Sequence, residues 1–167
     1  MSDKQLEEIN NLIITEFSKT AEMFGLTPTE SRLFAILYLE GSAMTLDQMG
    51  EALGKSKTSI STSIRNLSDL NLVERVWKKG VRKDLYKADV NLYKKFMTSY
   101  IHKWLHATTR QEHSLIQIKN KLNEESKYFE DDRDIVEATD LYEKLKVMIA
   151  FHQLVEKSFK DIRENYF

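Results

Sequence analysis

Positively charged and hydroxyl side chains are concentrated in the middle of the chain, between residues 55 and 87. This stretch holds nine Lys or Arg and three Asp or Glu, so its net charge is +6, whereas the whole chain of 167 residues is −1. The remainder is therefore −7. A basic segment in an otherwise acidic protein indicates contact with a polyanion, because clustered ammonium and guanidinium groups bind phosphate oxygens. A solvated charged surface without a partner is the alternative.

The candidate contacts form two groups. The first mixes hydroxyls with cations and contains Lys55, Lys57, Thr58, Ser59, Ser61, Thr62 and Arg65. The second is purely cationic and contains Lys78, Lys79, Arg82 and Lys83. Hydroxyl groups and lysines suit phosphates, whereas the guanidinium fork of Arg65 can bind either a guanine edge or a phosphate.

Two helices that precede these groups are marked by start and stop signals. Thr27, Pro28 and Glu30 predict an N-cap, a first-turn proline and a capping box, and Gly41 ends the apolar run that follows. The segment "TLDQMGEALG" repeats the device: Thr45 and Gln48 form a second capping box. Gly54 supplies the stop of this short helix.

A third helix carries the first group of candidate contacts. In "TSISTSIRNLSDL", Ile60, Ile64 and Leu67 share one face, and Thr58, Thr62 and Arg65 point the opposite way, with Ser59, Ser61 and Asn66 on the flanks. Two short helices joined by a tight turn predict a helix-turn-helix, whose second helix enters the major groove of DNA. We call the helix in "TSISTSIRNLSDL", which is the second of this pair, the recognition helix.

The cationic group lies in a predicted β-hairpin. Residues 72–77 and 84–88 are rich in β-branched and aromatic side chains and flank Gly80, within "LVERVWKKGVRKDLYKA". A hairpin after a helix-turn-helix forms a wing, whose tip can lie on the neighbouring minor groove. We define the basic wing tip as Lys78, Lys79, Arg82 and Lys83.

Long helices are predicted on both sides of this unit. Residues 4–24 and 90–123 show helical periodicity, and the last helix starts near Ile135. Its apolar positions step by four and three, which indicates packing against another helix, from a second subunit or from the preceding helix of the same chain. The positions are Leu141, Leu145, Met148, His152, Val155, Phe159, Ile162 and Tyr166.

The predicted fold is therefore mainly α with a small β-hairpin wing. We expect an N-terminal dimerisation helix at residues 1–26 and a winged helix-turn-helix at 27–89. Long C-terminal helices at 90–167 would complete the dimerisation region and could form one wall of a ligand pocket.

Other classes of function find little support in the sequence. The chain has no cysteine, no nucleophile-elbow motif and no phosphate-binding Gly-rich loop, so we expect no enzyme. His102, His106 and His113 share one helical stripe but lack a clear fourth ligand, so no metal site is expected. The absence of a signal peptide or membrane span makes the cytoplasm the expected location.

The stretch from residue 45 to 88 resembles the winged helix of the MarR superfamily of bacterial regulators. The combination of "SKTSIST" and "VWKKGVRKDLY" is more similar still to the GbsR-type branch, which controls glycine betaine synthesis and choline uptake. The resemblance implies a homodimeric repressor that binds a palindromic operator and answers to choline or a related quaternary amine. A winged helix that binds an acidic protein partner is the rival interpretation, and a different effector is a third.

A quaternary ammonium group offers no hydrogen-bond donor, so a protein holds it by cation–π contacts in an aromatic box. If the helix after Pro28 packs on the start of the long helix, a set of aromatic side chains can supply this box. The set is Phe34, Tyr38, Tyr93, Phe96, Tyr100 and Trp104. An aromatic stripe that simply forms hydrophobic core is the alternative.

Overall fold

A computed structural model describes residues 3–166 of the chain. The helices are α1 (Asp3–Met23), α2 (Pro28–Glu40), α3 (Leu46–Leu53), α4 (Lys57–Asp69), α5 (Leu92–Glu125) and α6 (Asp132–Tyr166). The strands are β1 (Met44–Thr45), β2 (Val73–Val76) and β3 (Leu85–Ala88), and a 3₁₀ turn covers Ser126–Tyr128. This order confirms the mainly helical fold with a small β wing. Residues 1 and 2, which begin the predicted N-terminal helix, and residue 167, which ends the predicted C-terminal helices, lie outside the described range.

The described part of the chain divides into two compact units, and the division falls between Tyr100 and Ile101, inside α5. The first unit contains the helix-turn-helix and the wing. The second contains the rest of α5 and α6. The predicted three-part division, with boundaries after residues 26 and 89, was based on the roles of the segments in dimerisation and DNA binding. It stays a prediction.

The predicted helix starts are confirmed by hydrogen bonds. The Thr27 hydroxyl accepts from the Glu30 amide (3.2 Å), and the Glu30 carboxylate accepts from the Thr27 amide (2.9 Å). Thr45 and Gln48 exchange the same pair at 3.2 and 2.8 Å. One cap was not predicted: the Ser56 hydroxyl accepts from the Ser59 amide, so α4 begins at Lys57.

The first unit has a continuous apolar core. Leu33 and Leu37 of α2, Met49 of α3, and Ile60 and Leu67 of α4 are all fully buried. The predicted inward face of the recognition helix is therefore confirmed. Burying five large side chains at about 1.5–3 kcal/mol each fixes the three helices against one another.

The wing belongs to a three-stranded antiparallel sheet in the order β1-β3-β2. The central strand pairs on both sides, with Leu85 opposite Thr45 on one side and Val76 on the other. The hairpin was predicted, but β1 was not, because two residues are too few to show an alternating pattern. Through β1, the sheet ties the base of the wing to the start of α3.

Within the second unit, α5 and α6 form an antiparallel hairpin. The rings of Trp104 and Phe159 stack at 5.3 Å between centroids, and the Gln153 amide donates to the Glu112 carboxylate at 2.8 Å. Of the two partners predicted for the last helix, the structure therefore shows the helix of the same chain. No helix within residues 3–166 is both long and apolar enough to cross a membrane.

The stripe of α6 that is covered in this hairpin agrees with the predicted seam in part: five of the eight predicted positions are half-buried, namely Leu145, His152, Val155, Phe159 and Ile162. Ala138 and Ile149 are the buried side chains of α6, whereas Leu141, Met148 and Tyr166 of the predicted seam are 44, 51 and 67% exposed. The reason is that α6 has apolar residues on more than one face. Periodicity alone cannot decide which of these faces packs inside the chain.

Candidate nucleic-acid interface

The recognition helix α4 presents a polar surface opposite its buried face. Thr58, Thr62 and Arg65 are exposed, and Ser59 and Ser61 are half-buried at its flanks. The Thr62 hydroxyl donates to the Thr58 carbonyl oxygen at 3.1 Å. Its remaining lone pairs therefore face outward as acceptors. The surface can accept and donate hydrogen bonds without bulky side chains that would prevent close approach to base edges.

A buried carboxylate fixes α4 to the start of α2. The Asn66 side-chain amide donates to Glu30 Oε1 at 2.8 Å, while Glu30 Oε2 caps α2 through the Thr27 amide. Glu30 is only 7% exposed, so each of its oxygens needs a partner. The sequence placed Asn66 on the flank of the recognition helix but gave no sign that it bonds a residue 36 positions away.

The wing tip is an exposed loop between β2 and β3. Gly80 has a φ of 84°, and the Val81 amide donates to the Lys78 carbonyl oxygen at 3.1 Å, which closes a tight turn. An ion pair between Arg75 and Asp84 joins the two strands below this turn. Trp77 is 83% exposed beside the cations and was not among the predicted contacts.

Asp47 lies where the wing and the recognition helix meet. Its Oδ2 is 2.7 Å from Lys83 Nζ of the wing tip, and its Oδ1 is 3.3 Å from Lys57 Nζ at the start of α4. The hydrogen bond from Lys83, followed by that from Lys57, holds the pKa of the Asp47 carboxyl below its usual range. The sequence marked Asp47 only as part of a helix start, so this role was missed.

The other candidate cations have no acidic partner within the part of the chain that the structure describes. They are exposed and comprise Lys55, Arg65, Lys78, Lys79 and Arg82. Unpaired surface cations can bind external phosphates without first breaking an internal ion pair. The structure therefore places both predicted groups of contacts in one unit and joins them at Asp47.

The predicted aromatic box is partly assembled in the first unit. Phe34 and Phe96 pack edge to face at 5.0 Å between centroids, Tyr38 stacks on Phe34 at 6.2 Å, and Tyr100 contacts Phe24 at 5.2 Å. Phe34 and Phe96 are buried, at 1 and 6% exposure. These rings therefore contribute to core packing.

Two further aromatic residues that contact this cluster, one in α1 and one directly after it, were missing from the predicted box. Phe17 lies 6.4 Å from Tyr38, and Phe24 lies 5.4 Å from Phe96, between ring centroids. Both lie on the apolar stripe predicted for residues 4–24, but nothing in the sequence showed that Phe17 meets α2 and that Phe24, just after α1, meets α5. Tyr93 is 60% exposed, and Trp104 lies in the second unit on Phe159.

The histidine stripe of α5 shows no metal-binding geometry. His102, His106 and His113 are exposed, and no group of three or more His, Cys, Asp or Glu side chains in residues 3–166 is arranged to hold an ion. His113 instead contacts the Gln117 side chain at 3.0 Å.

The sequence of this chain matches those of known proteins. The MarR family pattern matches residues 24–78, which run from the end of α1 to the wing. Two Bacillus subtilis proteins, the HTH-type regulator YvaV and the HTH-type transcriptional repressor OpcR, are each 32% identical over 120 residues, or 72% of this chain. The aligned regions span just under two thirds of those relatives, at 66 and 63%.

A longer match joins the chain to the B. subtilis transcriptional repressor GbsR, which is 28% identical over 163 residues, covering 95% of this chain and 88% of that protein. A crystal structure of a transcriptional regulator superposes with a TM-score of 0.55 at 16% identity, over 93% of this chain and 99% of the other. That likeness concerns the fold alone.

Fold and site together define a winged helix-turn-helix protein. The chain belongs to the MarR family of winged-helix transcriptional regulators and is homologous to GbsR. This confirms the resemblance found in the sequence.

Proposed function

We propose that the protein is a sequence-specific transcriptional repressor that places α4 in the major groove of duplex DNA and the basic wing tip on phosphates beside the adjacent minor groove. The observation that carries this proposal is the exposed polar face of α4, in one compact unit with unpaired wing cations. A regulator of this kind works where the chromosome lies, so we expect it in the cytoplasm of a bacterial cell.

An acidic protein partner is the competing occupant of this surface. Protein interfaces are centred on buried apolar and aromatic anchors. The outer face of α4 carries Thr58, Thr62 and Arg65 and no apolar side chain. Hydroxyl and guanidinium groups match phosphates and base edges better than they match such an interface, which favours DNA.

A homodimer is supported by apolar residues that the single chain leaves exposed. On α6, Val147, Phe151 and Leu154 form one stripe and are 71, 61 and 65% exposed. On α1, Leu12 is 63% exposed. Exposed apolar stripes of this kind mark interfaces, and a second copy of the chain offers the same stripe. Two recognition helices related by a two-fold axis would bind palindromic half-sites about 34 Å apart.

The effector we propose is choline or a related quaternary amine, and the regulated functions are choline uptake and glycine betaine synthesis. The support is the GbsR-type resemblance together with the aromatic cluster, whose half-buried Tyr38 and Tyr100 offer ring faces to a cation. The ligand shifts DNA binding only if it has different affinities for the DNA-compatible and incompatible dimers. A different effector of a MarR-like regulator is the alternative.

DNA binding is tested by fluorescence anisotropy on labelled duplex from upstream of the protein's own gene, against a scrambled duplex of equal length and composition. We expect preferential binding to the upstream duplex, and we expect choline to change that affinity. Equal, salt-sensitive binding to both duplexes would contradict sequence-specific recognition at this site.

The effector is tested separately by isothermal titration of choline into the protein. Tyr38→Leu and Tyr100→Leu should weaken choline binding at least tenfold, since each removes a half-buried ring of the first unit that is able to make a cation–π contact. Tyr128→Leu is the matched control, because Tyr128 is 82% exposed in the 3₁₀ turn and outside the cluster. Unchanged choline affinity in the Tyr38 and Tyr100 variants would refute the aromatic box.

A further inference from the structure

Asp47 stands out because it is an acid in the middle of the proposed DNA-binding surface. One carboxylate contacts two cations from different elements, Lys83 of the wing and Lys57 of α4. Both lysines belong to the set expected to bind phosphate. Since Asp47 is 46% exposed, its negative charge also faces the solvent that DNA would replace.

The wing does not need this carboxylate for its position. β3 pairs with both β1 and β2, and Leu85, next to the wing tip, is buried at 7% exposure. Ion pairs between exposed side chains contribute little to stability, and the side chains of Lys57 and Lys83 are 68 and 67% exposed. Backbone pairing and burial hold the hairpin in place. The role of Asp47 is therefore electrostatic and does not consist in fixing the position of the wing.

The charge has a direct consequence for DNA binding. Phosphates approaching Lys57 and Lys83 meet a like charge at Asp47 and must compete with it for the two ammonium groups. This penalty is the same for every sequence, because phosphates are present at every step of the duplex. Only a sequence that also forms base contacts with α4 gains enough to offset it.

We propose that Asp47 limits sequence-independent DNA binding: its carboxylate competes with DNA phosphates for Lys57 and Lys83, so that phosphate contacts alone hold the protein on a duplex only weakly. This inference rests on the proposed DNA-binding function. Asp47 acts through the two lysines and makes no contact with a base.

The experiment measures binding of the full chain to a scrambled duplex by anisotropy across a series of salt concentrations. We expect Asp47→Asn to bind this duplex about fivefold tighter at low salt. We also expect its plot of log affinity against log salt to be steeper by about one, because the freed lysines release additional counterions. A purely structural role for Asp47 would not steepen this slope.

Two controls separate this local effect from a change in net charge. Asp140→Asn removes one negative charge and also frees a lysine, since Asp140 lies 2.6 Å from Lys144 on α6, and it should leave both quantities unchanged. Asp47→Glu keeps the charge and should behave like the wild type. In the double variant Asp47→Asn with Lys83→Ala, most of the gain should disappear.

The possible results distinguish an error in the role of Asp47 from an error in the proposed function. If wild-type protein binds the duplex and Asp47→Asn binds it equally or more weakly, the role of Asp47 is wrong and the proposed function stands. An equal gain in Asp140→Asn likewise overturns it, because net charge would then be the cause. If neither the wild type nor any variant binds the scrambled duplex or the duplex from upstream of the gene at low salt, the proposed function itself fails.

Discussion

The recognition helix and the wing tip differ in how they are held. α4 is capped by Ser56, buried along Ile60, Ile64 and Leu67, and bonded to Glu30 through Asn66. The wing tip is exposed throughout. An element that reads bases must hold its side chains in fixed positions, whereas a cation needs only to be near a phosphate. From this comparison we propose that α4 reads the DNA sequence and that the wing supplies general affinity.

The largest effect is expected from removing the packing under α4. Leu67→Ala deletes a fully buried side chain and should lower the free energy of unfolding by about 2–5 kcal/mol. Val81→Ala in the wing removes a side chain that is 37% exposed and should change stability by less than about 0.5 kcal/mol. Urea denaturation measures both, and similar losses in the two variants would show that the two regions are equally well packed.

The next largest effect is expected from removing the hydrogen bond between Asn66 of α4 and Glu30. Asn66→Ala leaves the buried Glu30 carboxylate without one partner and should lower the free energy of unfolding by about 1–3 kcal/mol. Asn120→Ala, an exposed position on α5, is the matched control and should have little effect. If Asn66→Ala is as stable as the control in thermal and urea denaturation, the Glu30 bond does not hold the helix.

Arg65 tests whether α4 reads bases. Arg65→Ala should lower affinity for the preferred sequence by about 5- to 150-fold and leave affinity for a scrambled duplex nearly unchanged, because a guanidinium bound to a guanine edge discriminates by about 1–3 kcal/mol. Anisotropy titrations on the two duplexes measure the difference. Equal losses on both would identify Arg65 as a phosphate contact.

Arg82 tests whether the wing binds phosphates independently of sequence. Arg82→Ala should weaken binding to preferred and scrambled duplexes by the same factor and flatten the salt slope by about one, since it removes one phosphate contact. Arg133→Ala removes the same charge from the start of α6 and should do neither. A loss confined to the preferred sequence would show that the wing, too, reads bases.

The sequence predicted those parts of the molecule that depend on neighbouring residues. The capping boxes at Thr27 and Thr45 were visible because their partners lie three residues away. The amphipathic face of α4 was visible because helical periodicity repeats over a few turns. The basic wing tip was visible as a charge cluster.

Contacts between distant residues were not predictable in this way. The bond from Asn66 to Glu30 and the ion pair from Lys83 to Asp47 each join residues 36 positions apart. The two-residue strand β1 exists only because β3 pairs with it. On α6 the predicted seam included the half-buried Phe159 but missed the buried Ala138 and Ile149, because several apolar stripes lie side by side on this helix.

The most direct test of the account is selection of bound duplexes from a random-sequence library by the full-length protein, followed by sequencing. Sequence-specific binding by a symmetric dimer predicts enrichment of an inverted repeat, with half-sites about one helical turn apart. If the protein retains duplexes at low salt without enriching any sequence over the starting library, the surface is a basic patch only, and the assignment of sequence reading to α4 is wrong.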